Sequence, residues 1–204
     1  MERRTFLVTA LAASVAPALV GMTERARADE PAGPDGDQLP AGRVAVETDR
    51  WTVAPRTDRA PVIDGRLDDP VWPDAARIGG FVTPYYYEPI DGDAETRICF
   101  DDEALYLAVR YTDPDGGASL TGVEILIDNG TADYRVPIEI RRPAVPYRNT
   151  WGPDLIDVAG AEIATGTVDG GVTAEVAVPL AALDGTTPGE GDEWRINVIL
   201  QHDM

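Results

Sequence analysis

The sequence predicts an all-β fold, an antiparallel β-sandwich of jelly-roll-like type. Three observations support this prediction: many short runs of β-forming residues, turn signals at regular intervals between them, and no long stretch with a helical period. The 20 glycines and 17 prolines fit a chain that turns often. Such a chain buries its apolar side chains between two packed sheets.

The N-terminus has the features of a twin-arginine signal peptide, which we assign to residues 1–28. Arg3-Arg4 precedes an uncharged apolar run over residues 6–20, and Ala26-Arg27-Ala28 provides a small-x-small cleavage site. The run is too short to span a membrane. We therefore expect cleavage, then secretion or release to the periplasm or the exterior of the cell envelope, with no membrane attachment afterwards. An ordinary secretory signal that carries two arginines is the alternative.

The remainder divides into a linker and one domain. Residues 29–49 are rich in Pro, Gly and Asp and predict a flexible linker, and residues 50–204 form the sandwich domain. The predicted strands are Trp51–Ala54, Ile78–Val82, Thr96–Phe100, Leu105–Thr112, Val123–Asp128, Tyr134–Ile140, Val158–Thr167, Val172–Val178 and Trp194–Gln201. Single helical turns are predicted at Asp69–Ala76 and Leu180–Leu183.

Composition excludes several classes of function. The net charge is −19 and all 17 basic residues are arginine, which argues against nucleic acid and anionic membranes as partners. The only cysteine, Cys99, excludes an intrachain disulfide, and its apolar surroundings predict a buried, inert thiol. The only histidine, His202, excludes a Ser-His-Asp triad and zinc sites built on several histidines.

One segment, Asp64 to Trp72, combines a turn with a large aromatic residue. Asp64-Gly65 predicts a turn in which Gly accepts positive φ and Asp binds local amides. Trp72 lies between prolines and turn residues, so we expect it to pack against one end of the sandwich. Glu175 stands between apolar neighbours on a predicted strand, and we expect it to point away from the core face.

An ordered set of patterns resembles the family 9 carbohydrate-binding modules. The set covers roughly residues 61–201, and its members follow in the family's order at similar spacing. They are Ile63-Asp64-Gly65, Leu67-Asp68, Trp72, Thr96-Arg97-Ile98, Phe100-Asp101-Asp102, Ala104–Val109, Tyr111–Pro114, Val123–Asp128, Tyr134, Ala174–Leu180, Leu183, Gly191, Trp194 and Asn197.

The resemblance implies a β-sandwich that binds a polysaccharide or oligosaccharide. In the best-understood members of the family, two Trp rings sandwich a terminal sugar, one from the loop before the Val-Glu-Ile strand and one from a segment after the Trp-x-x-Asn strand. Here the first loop, residues 116–122, contains no aromatic residue, and the sequence stops at Met204 before the second segment. A sandwich without its C-terminal edge strand is one expectation from this departure.

Other residues are therefore candidates for sugar binding. Tyr85, Tyr86 and Tyr87 form an aromatic cluster, and Trp151 lies close to Arg148 and Asn149 in a predicted loop. Aromatic faces stack on sugars, and planar polar side chains bind hydroxyl groups. The alternative for the tyrosines is packing against the sandwich, and for Trp151 it is a loop anchor.

Calcium is the one cofactor for which the sequence offers ligands. Asp113 and Asp115 precede a glycine pair, and Asp128 lies at a strand end, so all three offer carboxylate oxygens. Turns favour Asp at these positions without any metal, and that interpretation remains open.

The sequence thus predicts an exported carbohydrate-binding domain without catalytic residues, accessory to polysaccharide breakdown. One alternative is a structural or accessory sandwich, degenerate or truncated, that binds no sugar. Another is an enzyme of the kind associated with glycoside hydrolysis, although no pair of carboxylates stands out as a catalytic pair.

Overall fold

The computed structural model describes residues 5–15, 51–82, 89–113, 120–141, 156–185, 187–189 and 191–202. In these parts of the chain, strands form two sheets with a shared core. The strands are β1 (Thr5–Val15), β2 (Trp51–Pro55), β3 (Ala76–Ile78), β4 (Asp93–Phe100), β5 (Ala104–Thr112), β6 (Leu120–Asp128), β7 (Asp133–Glu139), β8 (Ile156–Asp157), β9 (Glu162–Val168), β10 (Gly171–Pro179) and β11 (Glu193–His202).

The two sheets have six and five strands. The six-stranded sheet has the order β2-β1-β11-β6-β7-β8, and the five-stranded sheet has the order β3-β4-β5-β10-β9. Neighbouring strands are antiparallel except for β1 with β11 and β7 with β8, which are parallel. The predicted sandwich is therefore confirmed, with two parallel pairs added to it.

The main core lies between the sheets because each inner strand alternates apolar residues toward it. On β6, Val123, Ile125 and Ile127 are buried in this core. Trp194 and Ile196 of β11 and Leu105 and Leu107 of β5 belong to the same cluster. Period-two alternation in the sequence thus becomes one continuous apolar layer.

A second apolar cluster covers the outer face of the five-stranded sheet. It joins Trp72, which is fully buried, to Cys99, Tyr106, Ala108 and Ala177 on β4, β5 and β10. The prediction that Trp72 packs against one end of the sandwich is wrong in its location. The segment that carries Trp72 lies across a sheet face, because the alternate residues of these strands are small or apolar there as well.

The buried carboxylate of Glu175 holds this segment in place. Its Oε2 accepts hydrogen bonds from the backbone amides of Asp64, at 3.0 Å, and Gly65, at 2.7 Å. Its Oε1 accepts a 2.8 Å bond from the indole Nε1 of Trp72. Thr173, on the same strand face, donates to the carbonyl oxygen of Gly65 at 2.5 Å. As expected, Glu175 points away from the inter-sheet core, where it receives charge-assisted hydrogen bonds.

Most predicted strands and both helical turns are confirmed, with three differences. The predicted strand Val158–Thr167 begins later than expected, as β9, because a turn at residues 159–160 comes first, and the short strand β8 lies before that turn. The predicted strand Ile78–Val82 is instead β3, which stops before two glycines. Thr5–Val15, which we interpret from the sequence as part of an export signal, forms a strand here.

Cys99 is a buried free thiol, and burial raises its pKa to about 12, so the expectation of an inert thiol agrees with the structure.

In the described parts of the chain, no helix has the length and apolar character needed to cross a membrane.

Candidate functional site

The outer face of the six-stranded sheet carries a group of polar side chains that point away from the inter-sheet core. Glu124 and Leu126 alternate with the core residues of β6 and therefore point outward. Leu126 pairs with Asn197 of β11 on one side and with Arg135 of β7 on the other. Residues that oppose each other across a ladder share a face. Asn197, Leu126 and Arg135 thus form one row, with Glu124 beside it.

Glu124 is fully buried although it does not belong to the inter-sheet core. Its Oε1 lies 3.5 Å from Nη1 of Arg135, whose side chain is itself only 15% exposed. A buried carboxylate requires a charged or hydrogen-bonding partner, because the loss of water around it is costly. Arg135 supplies that partner from the neighbouring strand.

Arg135 is also held by a second carboxylate on its other side. Its Nε donates to Oδ1 of Asp157 at 2.6 Å, and its Nη2 lies 2.5 Å from the same oxygen. Strand β8, although only two residues long, places Asp157 directly opposite Arg135 in parallel register. The guanidinium therefore bridges a buried acid and a largely exposed one, which fixes its orientation.

Asn197 contributes an acceptor that the described residues do not satisfy. Its Oδ1 is buried and has no hydrogen-bond partner among them. Buried polar atoms are nearly always paired, so an unpaired one indicates a missing ligand or water. Asn197 and Arg135 flank Leu126, which separates their backbones by about 10 Å at two strand spacings.

We call Glu124, Arg135, Asp157 and Asn197 the Glu124 cluster. Carboxylate and amide oxygens accept hydrogen bonds, and the guanidinium and amide nitrogens donate them. A hydroxyl group both donates and accepts, so neighbouring hydroxyls on one ligand could bind such a set of groups. The arrangement suits a small polyol or a sugar.

The sequence-based reasoning did not identify the Glu124 cluster. Glu124 was nevertheless visible as the one acid within the apolar run 123–127, at the parity opposite to the core residues. Arg135 holds the same parity on the next strand. Their meeting depends on the β6–β7 register, which the turn residues alone do not specify.

The predicted sugar-binding residues lie outside the described parts of the chain. This applies to Tyr85, Tyr86, Tyr87, Arg148, Asn149 and Trp151. They therefore remain predictions.

Two of the three predicted calcium ligands are described. Oδ1 of Asp128 accepts from the amide of Gly130 at 2.8 Å, and its Oδ2 lies 3.2 Å from Nη1 of Arg195, so this residue serves a turn and an ion pair. Asp113 donates its backbone amide to the carbonyl of Gly170 at 3.2 Å. No group of three or more His, Cys, Asp or Glu residues that could hold a metal occurs among the described residues. Asp115 lies outside them, so calcium binding there remains a prediction.

A model of the family described as "Carbohydrate family 9 binding domain-like" matches residues 63–202. The chain belongs to this family. The match covers every strand from β3 to β11 and all four members of the Glu124 cluster. The resemblance inferred from the ordered sequence patterns is thereby confirmed, and the family 9 assignment applies to the whole sandwich except β1 and β2.

Two solved structures of family 9 modules from Caldicellulosiruptor kristjanssonii align with the chain. The module in complex with glucose is 19% identical, with a TM-score of 0.49, and the alignment covers 70% of this chain and 76% of that chain. The module in complex with cellotriose is 16% identical, with a TM-score of 0.47, covering 72% and 91% respectively. Among curated proteins, none matches the chain.

Proposed function

We propose that this family 9 domain binds a polysaccharide or oligosaccharide at the Glu124 cluster, without catalysing its breakdown. The observation that supports this most is the fully buried Glu124 on an outer sheet face, paired with Arg135 and close in register to the unsatisfied Oδ1 of Asn197. An ion pair that only stabilises the sandwich would not account for the unpaired Oδ1 of Asn197 nearby. A sugar hydroxyl would satisfy that acceptor.

Chain connectivity supports a role for Trp151 in the same site. The segment that contains Trp151, Arg148 and Asn149 joins β7 to β8, the two strands that carry Arg135 and Asp157. An aromatic ring from this connection would add stacking to the hydrogen bonds of the cluster. We propose Trp151 as the stacking residue, with Tyr85–Tyr87 as a second aromatic source.

A binding role fits the cluster better than hydrolysis does. Glycoside hydrolysis requires one carboxyl group that donates a proton and a second that acts as base or nucleophile. Glu124 and Asp157 instead share the guanidinium of Arg135. We therefore propose an accessory domain that is exported through its twin-arginine signal and acts outside the cytoplasm beside enzymes that degrade polysaccharides.

Affinity electrophoresis of the purified protein through gels that contain plant, fungal or bacterial polysaccharides tests the proposal. We expect retardation by at least one polysaccharide, at least about tenfold weaker binding for Glu124→Gln and Asn197→Ala, and no release of reducing sugar. Arg135→Ala should weaken binding as well. Its matched control is Arg110→Ala, which should not, because Arg110 forms a similar 2.6 Å ion pair with Asp93 but lies on the other sheet. No retardation by any polysaccharide, or equal effects of the two arginine substitutions, would contradict the proposal.

A further inference from the structure

Strand β1 lies between two strands of the six-stranded sheet. It pairs in parallel with β11 over nine residue pairs, from Leu7↔Glu193 to Val15↔Gln201. On its other side it pairs antiparallel with β2 over five pairs, from Thr5↔Pro55 to Thr9↔Trp51. Without β1, a gap one strand wide would separate β2 from β11.

Strand β11, on one side of this gap, is held in the sheet by contacts with elements other than β1. It pairs with β6 over eight residue pairs, from Arg195↔Asp128 to His202↔Leu120. Its residues Trp194, Ile196, Val198 and Leu200 are buried in the main core. Removal of β1 would therefore leave β11 in place, with an unpaired row of backbone amides and carbonyls along one edge.

Strand β2, on the other side of the gap, is also held by contacts that do not involve β1. Ala54 of β2 is fully buried in the main core. Just beyond the strand, Arg56 forms a parallel bridge with Phe100, and the amide of Thr57 donates to the carbonyl of Phe100 at 2.7 Å. Arg56 also pairs with Asp102. The gap is thus bounded by two strands that each have their own attachment.

The occupant of the gap is connected to the domain only through residues 16–50. The sequence of β1, Thr-Phe-Leu-Val-Thr-Ala-Leu-Ala-Ala-Ser-Val, contains no charged residue, and such an uncharged run suits a strand with a neighbour on each side. Our expected cleavage after Ala28 would cut the chain within this connection. No peptide bond would then hold it to the domain, and its pairing with β2 and β11 is the mode in which proteins accept a strand from elsewhere.

We propose that the gap between β2 and β11 is a strand-acceptor slot and that Thr5–Val15 is its detachable occupant. Once the chain is cut between residues 15 and 51, the segment stays bound as a separate peptide. A second molecule of the same peptide replaces it in trans. This interaction surface is distinct from the Glu124 cluster and does not depend on sugar binding.

The experiment uses the full chain with a protease site placed at Ala28. After cutting, we expect the N-terminal fragment to co-elute with the domain in size-exclusion chromatography. We also expect a fluorescent peptide of residues 5–15 to enter the cut protein, as measured by anisotropy. A control peptide with Ala10→Pro and Ala12→Pro lacks two backbone donors and should bind at least about tenfold more weakly. Separation of the fragment on cutting, with no binding of the labelled peptide, would overturn the proposal.

Disulfide trapping in the uncut chain tests the register without relying on the cut protein. Thr9 opposes Arg195, so the pair Thr9→Cys with Arg195→Cys should oxidise readily. The pair Thr9→Cys with Glu193→Cys is displaced by two residues and should oxidise at least about tenfold more slowly. Equal rates for the two pairs, or no crosslink in either, would exclude the seated strand.

Discussion

The indole Nε1 of Trp72 donates a 2.8 Å hydrogen bond to Oε1 of Glu175, a residue 103 positions later in the chain. Both side chains are fully buried. The other oxygen of Glu175 accepts the amides of Asp64 and Gly65. One carboxylate thus receives three donors from a segment that would otherwise have to leave them unpaired beneath the surface.

Substitution of Glu175 should therefore destabilise the domain more than the loss of buried side-chain surface area alone would. Glu175→Gln replaces one acceptor oxygen with a donor, so at least one buried N–H group loses its partner. We expect a loss of about 1–3 kcal/mol in the free energy of unfolding. Glu175→Ala should cost more, about 3–5 kcal/mol, because all three donors are affected.

Urea denaturation monitored by Trp fluorescence measures this loss. Glu162→Gln is the matched control, because Glu162 is exposed on the neighbouring strand and should change stability by less than about 0.5 kcal/mol. Equal stabilities for Glu175→Gln and Glu162→Gln would show that the buried hydrogen bonds contribute little.

Gly65 is restricted by both its conformation and its surroundings. Its φ is +83°, and a Cβ at this position would lie 2.6 Å from the carbonyl carbon of Thr165. Gly130 has nearly the same φ, +84°, with nothing within 4 Å of the corresponding position. Gly130→Ala should cost roughly 1 kcal/mol from backbone strain alone, and Gly65→Ala should cost at least about 2 kcal/mol more because backbone must move.

Thermal and chemical denaturation of the two glycine variants, side by side, isolates the steric contribution from the conformational one. If both variants lose the same stability, the close approach of the Gly65 turn to β9 has no energetic consequence.

Arg135 should contribute to stability as well as to binding, because it neutralises the buried Glu124. Arg135→Leu leaves that carboxylate without its cation and should cost about 3–5 kcal/mol. The double variant Glu124→Leu with Arg135→Leu should lose less than the single variant, since no buried charge remains. A double-mutant cycle in urea measures the coupling, and strict additivity of the two substitutions would contradict the pairing.

His202 predicts a pH dependence of stability. Its ring meets that of Tyr111 edge to face, with 5.1 Å between centroids. Burial lowers the pKa of His202 below its ordinary value of 6.5, although the nearby Asp113 opposes this. The folded state therefore takes up the proton at lower pH than the unfolded state does. Stability from the neutral ring is complete above about pH 6.5 and is lost as the pH falls from there through the lowered pKa.

The comparison that isolates this effect is wild type against His202→Phe, unfolded in urea at pH 8 and at pH 5.5. The many carboxylates affect both proteins alike, so the difference between them reports His202. We expect the stability of the wild type to decline relative to the variant at the lower pH. A constant difference across this range would exclude a role for His202 protonation.

Local patterns in the sequence were sufficient to predict much of the secondary structure. Alternating residues such as Leu105 and Leu107 indicate a strand and its core face, and Asp169-Gly170-Gly171 indicates the hairpin between β9 and β10. Both are properties of neighbouring residues, and the period of two follows from strand geometry alone. The same strand and turn patterns, taken in their order along the chain, also indicated the family.

The tertiary structure alone decided which distant side chains meet. The sequence shows that Glu124 and Glu175 point away from the core, but not that one meets Arg135 and Asp157 while the other meets Trp72. Those partners depend on strand order and register and on the path of the segment containing Trp72 across a sheet. These arise from long-range burial and backbone pairing, which no local pattern encodes. The same cause explains β1: its apolar run predicts a signal, yet pairing with β2 and β11 makes it a strand.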